Sequence, residues 1–191
     1  MYKEIWALIK KDLQLEWRSG QAWSSSVLYV FTTAFVVYLT FINIPANVWN
    51  PLFWIIILFT AVNAVSGSFS SESGSLRLYY YTLVDPVKLM ISKVIYNVLV
   101  VTILSFFCFL GFSFITGNPI RHLSDFLWVL LAAGVGLSIT LTFTAAIAAG
   151  VKRKTSLLTI LSFPLLIPTI LVVLKLSAHA IGLINDSSNN Q

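Results

Sequence analysis

Long apolar stretches separated by short polar segments dominate the chain. A helix needs about 20 mostly apolar residues to cross the hydrocarbon core of a bilayer. The pattern therefore predicts an all-α membrane protein with five transmembrane helices. These spans cover about residues 22–42, 52–69, 89–116, 126–149 and 157–174.

The first 19 residues show a different pattern, with apolar side chains at helical spacing and basic side chains elsewhere on the helix. This predicts an amphipathic helix in the membrane interface, basic side to the headgroups, with a solvated leader helix as the alternative. The expected organisation is an interfacial helix at 1–19, a transmembrane domain at 20–178 and a polar tail at 179–191. The apolar positions of the N-terminal helix are Ile5, Leu8, Ile9, Leu13 and Trp17.

Composition supports a membrane protein. Hydrophobic residues make up 58% of the chain and charged residues only 10%, against about 25% charged in average globular chains. The formal net charge is +5, but the basic residues lie at span edges, so topology and lipid headgroups explain them better than nucleic acid does.

The positions of the basic residues predict the topology. Only Arg121 and Lys175 fall outside the N-terminal helix, the loops that follow spans two and four, and the first turn or two of span three, where Lys93 lies. Because basic loops stay in the cytoplasm, the N-terminus is expected inside and the end of a five-span chain outside. The residues on the predicted inner side are Lys3, Lys10, Lys11, Arg18, Arg77, Lys88, Lys93, Lys152, Arg153 and Lys154.

Candidate chemistry within the chain is sparse. The span interiors carry no Asp, Glu, Lys, Arg or His, which argues against an ion-coupled transporter, and the sequence has no phosphate-binding P-loop motif. We therefore expect no enzymatic activity and no cofactor bound directly, with any ATP bound by another polypeptide.

Asn63 and Asn97 either line a path or hydrogen-bond between helices. His122 is either a haem contact from the outer face or a solvated loop histidine.

Two spans carry packing signals. Small residues four apart in span four, beginning with Ala132, Gly136 and Thr140, indicate a close helix–helix interface. In span five, Pro164 and Pro168 lie on one face, and each removes a backbone donor. Because freed carbonyls need partners in lipid, this segment is expected to be buried or broken. Whether it is a kink or a moving element stays open.

The segment between spans two and three combines polar and aromatic residues in "SSESGSLRLYYYTLVDPVKLMISK". A short helix there, with Leu78 and Tyr80 among its apolar residues, would present an aromatic face to a cytoplasmic partner. The alternative is an aromatic belt at the membrane interface.

This segment resembles the membrane subunits of type-2 ABC exporters. The likeness comprises an acidic residue, a glycine and a leucine after span two, then a proline and a lysine opening span three. By resemblance, the segment would dock the ATPase subunit and couple its stroke. The residues are Glu72, Gly74, Leu76, Pro86 and Lys93.

Further segments resemble CcmB, the permease of the cytochrome c maturation system, over about residues 1–178. They are "KKDLQLEWRS", "LFWIIILFTAVNAVSGSF", "ISKVIYN", "GNP" and "LSFPLLIPTILVV". The resemblance implies a subunit of the bacterial cytoplasmic membrane that works with a CcmA-like ATPase and CcmC-, CcmD- and CcmE-like proteins, with haem as candidate cargo.

The chain departs from that family pattern in two respects. The family usually has a sixth span, which is expected to be missing here, and "SSESGS" carries less charge than usual. The alternatives are a permease for lipid, glycan or drug, and a membrane assembly scaffold that transports nothing. A membrane enzyme ranks last.

Overall fold

A computed structural model describes residues 2–41, 44–70, 85–148 and 154–183. All regular structure in these ranges is helical, which confirms the predicted all-α class. The helices are α1 (Tyr2–Ser19), α2 (Gln21–Thr40), α3 (Ala46–Ser70), α4 (Pro86–Thr116), α5 (Leu123–Ala148) and α6 (Lys154–Ile181).

Within the described residues, four helices are long and apolar enough to cross a membrane. They provide the candidate spans Ala46–Phe69, Pro86–Thr116, Leu123–Ala148 and Ser162–Ile181. The apolar part of α2, Ser24–Thr40, is shorter. The multi-pass character is therefore supported, while five crossings stay a prediction.

A single residue, Gly20, separates α1 from α2. Its backbone has φ 59° and ψ 10°, in the left-handed region that glycine adopts without steric cost. Its N–H donates to the Glu16 carbonyl at 2.7 Å, and its own carbonyl accepts from the Ser24 N–H at 2.9 Å. Backbone hydrogen bonds thus continue from α1 into α2 across the left-handed residue that separates the two helices.

Helix α4 begins at a well-defined cap. The Asp85 side chain accepts a hydrogen bond from the Val87 N–H at 3.0 Å, and Pro86 occupies the first turn. Proline is favoured there because its missing N–H would have no helical partner and its φ already suits a helix. The cap explains why α4 starts three residues before the predicted span.

Two predicted boundaries are wrong. Helix α3 begins at Ala46, within the expected loop, and contains Pro51. Burial of Trp49 and its hydrogen bond to Thr116 hold this extra turn in place. Helix α6 extends to Ile181 rather than ending near residue 174.

The expectation that the Pro164–Pro168 segment is buried or broken is also wrong. Both prolines lie inside a continuous α6 and are exposed. The opposite face of α6 packs into the bundle through Leu166, Val173 and Ser177, and this packing maintains the helix where backbone bonds are lost.

An aromatic cluster fills the core at one end of the bundle. Trp49 stacks on Phe53 with ring centroids 5.1 Å apart, and Phe53 lies 5.5 Å from Phe126. Phe112 and Phe126 are fully buried against the same rings. The cluster joins α3, α4 and α5 through apolar area and ring-edge contacts.

Polar side chains connect the middle of α4 to α5. The Asn97 side-chain amide donates to Thr142 Oγ1 at 2.9 Å, and the Asn97 carbonyl accepts from the Ser138 hydroxyl at 3.3 Å. Asn97 therefore hydrogen-bonds between helices, one of the two interpretations left open by the sequence. A Cβ on Gly134 would lie only 2.9 Å from Thr102 Oγ1, so glycine permits the close approach.

Replacing Gly134 with alanine is expected to destabilise the protein by about 1–3 kcal/mol, because the added methyl overpacks the α4–α5 contact. The measurement is the thermal midpoint in detergent. Gly67→Ala is the matched control, since a Cβ there meets nothing within 4 Å. Equal midpoints for the two variants would contradict the assignment of Gly134 as a close-approach position.

Candidate functional site

The side chain of Lys93 forms a buried charged junction near the start of α4. Its Nζ lies 3.1 Å from Asp12 Oδ2 and donates to the Ser68 carbonyl at 2.9 Å. The same nitrogen lies 5.6 Å from the ring centroid of Phe69. Lys93 is 2% exposed and Asp12 is 5% exposed, so the pair is almost fully removed from solvent.

The junction joins three elements. Asp12 belongs to α1, Ser68 and Phe69 to the last turn of α3, and Lys93 to α4. The last turn of α3 and the first turns of α4 flank residues 71–84, which lie outside the described part of the chain. Asp12 and Lys93 thus fix α1 to both flanks of that segment.

Because the Asp12–Lys93 ion pair is buried, its geometry must be favourable. Two charges taken out of water are tolerated only when they face each other and their remaining donors and acceptors are satisfied. Here the carbonyl of Ser68 and the ring of Phe69 supply additional contacts to the ammonium, and Lys11 lies 3.2 Å from Asp12 Oδ1. An unpaired charge at this depth would carry a large penalty.

A second ion pair holds the beginning of α1 against α4. Lys88 Nζ donates to Glu4 Oε2 at 2.8 Å in a more exposed setting. The hydrogen bond from Lys88 and its positive charge lower the pKa of the Glu4 carboxyl below its ordinary value. Any stability from this contact is therefore present at neutral pH and is lost as the pH falls through the lowered pKa.

Helix α1 has two distinct apolar faces. Ile5 and Ile9 are buried together with Asp12 toward α4, whereas Trp6 is 67% and Trp17 is 87% exposed. The sequence pattern placed Ile5, Ile9 and Trp17 in one apolar set, but the structure separates them. The exposed tryptophans leave the interfacial location of α1 as a prediction, since tryptophan favours membrane interfaces.

Two of the predicted coupling residues can be placed. Pro86 is exposed in the first turn of α4, and Lys93 is buried in the junction. The remaining predicted coupling residues lie outside the described residues. These are Glu72, Gly74, Leu76, Leu78 and Tyr80.

His122 lies at the opposite end of the bundle. Its side chain is exposed, and its backbone N–H donates to the Ala180 carbonyl at 3.0 Å. This bond ties the segment before α5 to the end of α6. Across the described ranges, no cluster of three metal-ligating side chains occurs, and the haem contact stays a prediction.

The predicted small-residue stripe of α5 occupies several environments. Ala132 is exposed, whereas Gly136 and Thr140 are half-buried. A Cβ on Gly136 would lie 3.5 Å from Thr169 Cγ2, so this part of the stripe faces α6. The close α4 contact instead uses Gly134, with Ser138 and Thr142 on the same face.

Sequence reasoning missed the role of Asp12. A signal was available, because Asp12 follows Ile5 and Ile9 at helical spacing and therefore lies on an apolar face. An acidic side chain at such a position requires a buried cation. The Gly134–Ser138–Thr142 stripe was also visible as small residues four apart, parallel to the stripe that was chosen.

The comparison with protein families identifies the chain. The family described as CcmB protein matches residues 3–189, nearly the whole chain. The chain belongs to the CcmB family. Membership assigns it broadly to the permease subunits of the ABC system that serves cytochrome c maturation, which are not themselves catalytic. No curated protein and no solved structure was found to match.

Breaking the junction in this CcmB-family protein is expected to be costly. Asp12→Asn leaves the Lys93 ammonium buried without its counter-charge, which costs about 3–5 kcal/mol. The double variant Asp12→Asn/Lys93→Met removes both charges and is expected to recover part of that loss. Thermal midpoints of both single variants and the double variant measure the coupling.

Glu4→Gln is the matched control, because it breaks the exposed pair with Lys88 and is expected to change the midpoint little. Strictly additive effects of Asp12→Asn and Lys93→Met would show that the two side chains do not act as a pair.

Proposed function

We propose that this CcmB-family chain couples ATP hydrolysis by a separate CcmA-like ATPase to haem delivery, through release of a haem-loaded chaperone. The observation that carries the proposal is the buried Asp12–Lys93 pair, which joins α1 to both flanks of residues 71–84. By family resemblance, that segment is the docking site for the ATPase.

Coupling requires that a displacement of the docking segment moves the spans and is not lost in flexible parts of the chain. Helix α3 ends and helix α4 begins beside the junction, and both continue into the aromatic core through Phe53 and Phe112. Since close-packed helices move as rigid elements, force applied at residues 71–84 is transmitted to both spans together.

The need for an ATPase partner follows from a motif that the sequence lacks, and the other proposed partners follow from the resemblance to CcmB. Without a P-loop motif, the chain depends on another subunit for ATP. We assign that role to a CcmA-like protein, and we place CcmC-, CcmD- and CcmE-like proteins in the same assembly. His122, exposed at the opposite end of the bundle, is the proposed position for contact with haem or its chaperone.

Docking and coupling are separable by mutation. Leu78→Asp or Tyr80→Asp is expected to abolish co-purification with a CcmA-like ATPase, because a carboxylate is placed in an apolar contact. Asp12→Asn/Lys93→Met is expected to retain co-purification with the ATPase. It is expected to reduce stimulated ATP hydrolysis by roughly 5- to 100-fold, a factor within the range that typical coupling free energies between two sites produce.

The control is Glu4→Gln, which is expected to retain both binding and stimulation. Retained binding of the Leu78→Asp and Tyr80→Asp variants would reject the docking site. Full stimulation in the double variant would reject the junction as the coupling element. Normal cytochrome c assembly without any stimulated hydrolysis would favour a non-transporting scaffold.

The proposed location is the bacterial cytoplasmic membrane, with the N-terminus in the cytoplasm. A reporter that is active only outside the cytoplasm, fused after Leu183, is expected to show activity because α6 ends at Ile181. The same reporter fused after Phe69 is the inactive control. The opposite pattern would overturn the orientation inferred from the basic residues.

A further inference from the structure

A cavity of about 180 Å³ lies between α2 and α4. Its inner wall is formed by Val30, Leu104 and Cys108, each 5% exposed or less, while Phe31 and Phe107 at the rim are more than 50% exposed. The opening therefore faces the apolar surroundings of the bundle. An engineered cavity of about 150 Å³ with aliphatic and aromatic walls is large enough to hold benzene.

One polar group in this cavity has no partner. The Ser26 side chain is 1% exposed and lines the cavity, and its hydroxyl makes no hydrogen bond. A buried unsatisfied hydroxyl costs free energy, so an occupant that accepts its proton would be stabilised. The neighbouring Cys108 thiol already has a partner, since its sulfur lies 3.8 Å from Thr60 Oγ1.

The chemistry of the walls restricts what the occupant can be. A buried water needs two to four polar partners, and Ser26 is the unpartnered hydroxyl against otherwise apolar walls. A pure hydrocarbon would fill the volume but would leave Ser26 unsatisfied. An acyl chain with an ester carbonyl meets both requirements, and the bilayer around the four candidate spans supplies it.

We propose that the α2–α4 cavity binds one acyl chain of a bilayer phospholipid, whose ester carbonyl accepts a hydrogen bond from Ser26. Gly111 also lines the cavity, and a side chain there would extend beside Val30, whose Cγ1 lies 3.5 Å from the position of a Cβ on Gly111. This site is independent of the ATPase-docking segment and of the Asp12–Lys93 junction.

The test uses the full chain in nanodiscs that contain phosphatidylethanolamine with a diazirine in one acyl chain. After photolysis, mass spectrometry maps the adducts. We expect adducts concentrated on residues 26–31 and 104–111. Ser26→Ala is expected to reduce them about fivefold, the factor that one net hydrogen bond contributes. Gly111→Leu, which fills the cavity, is expected to reduce them by at least that factor.

Ser25→Ala is the matched control, since Ser25 is exposed on the same turn and does not line the cavity. It is expected to leave the adduct pattern unchanged. Adducts spread evenly over the exposed faces of α2 and α4 would overturn the proposal, as would equal labelling of the Ser26→Ala and Ser25→Ala variants. Absence of adducts at residues 26–31 and 104–111 would also overturn it, since another occupant, such as a second copy of the chain, would then cover the cavity.

Discussion

The architecture depends on how one ammonium group is accommodated out of water. Lys93 is held by Asp12 of α1 and by the Ser68 carbonyl and the Phe69 ring of α3. None of these partners is near Lys93 in sequence, so the site exists only when α1, α3 and α4 are packed together. Because the charge is costly to bury without its partners, burial of Lys93 requires the three helices to hold these relative positions.

The length of α4 explains why its first turns need the contacts with α1. At 31 residues, it extends to about 46 Å, whereas the hydrocarbon core is about 30 Å thick. An upright helix of this length is longer than the apolar layer is thick, and α1 packs against its first turns. Helix α1 covers this part, through Ile5 and Ile9 on the apolar side and through Glu4 and Asp12 as ion-pair partners.

The sequence predicted the helices well because membrane spans are specified by local composition. Apolar length gave the existence of α3, α4, α5 and α6, whereas the start of α4 at the Asp85–Pro86 cap was not predicted. It did not predict the Asp12–Lys93 pair, because that contact joins residues far apart in the chain. The outward position of Pro164 and Pro168 was missed for a related reason, since the face that a helix buries is decided by its neighbours.

Gly20 has a mechanical consequence. A single left-handed residue separates α1 from α2, and its backbone is hydrogen-bonded to both helices. The connection therefore leaves little room for one helix to move independently of the other. A change in the tilt of α1 would act on α2 directly, because no loop lies between the two helices to absorb it. The side of α2 that lines the α2–α4 cavity beside Gly111 would then move as well.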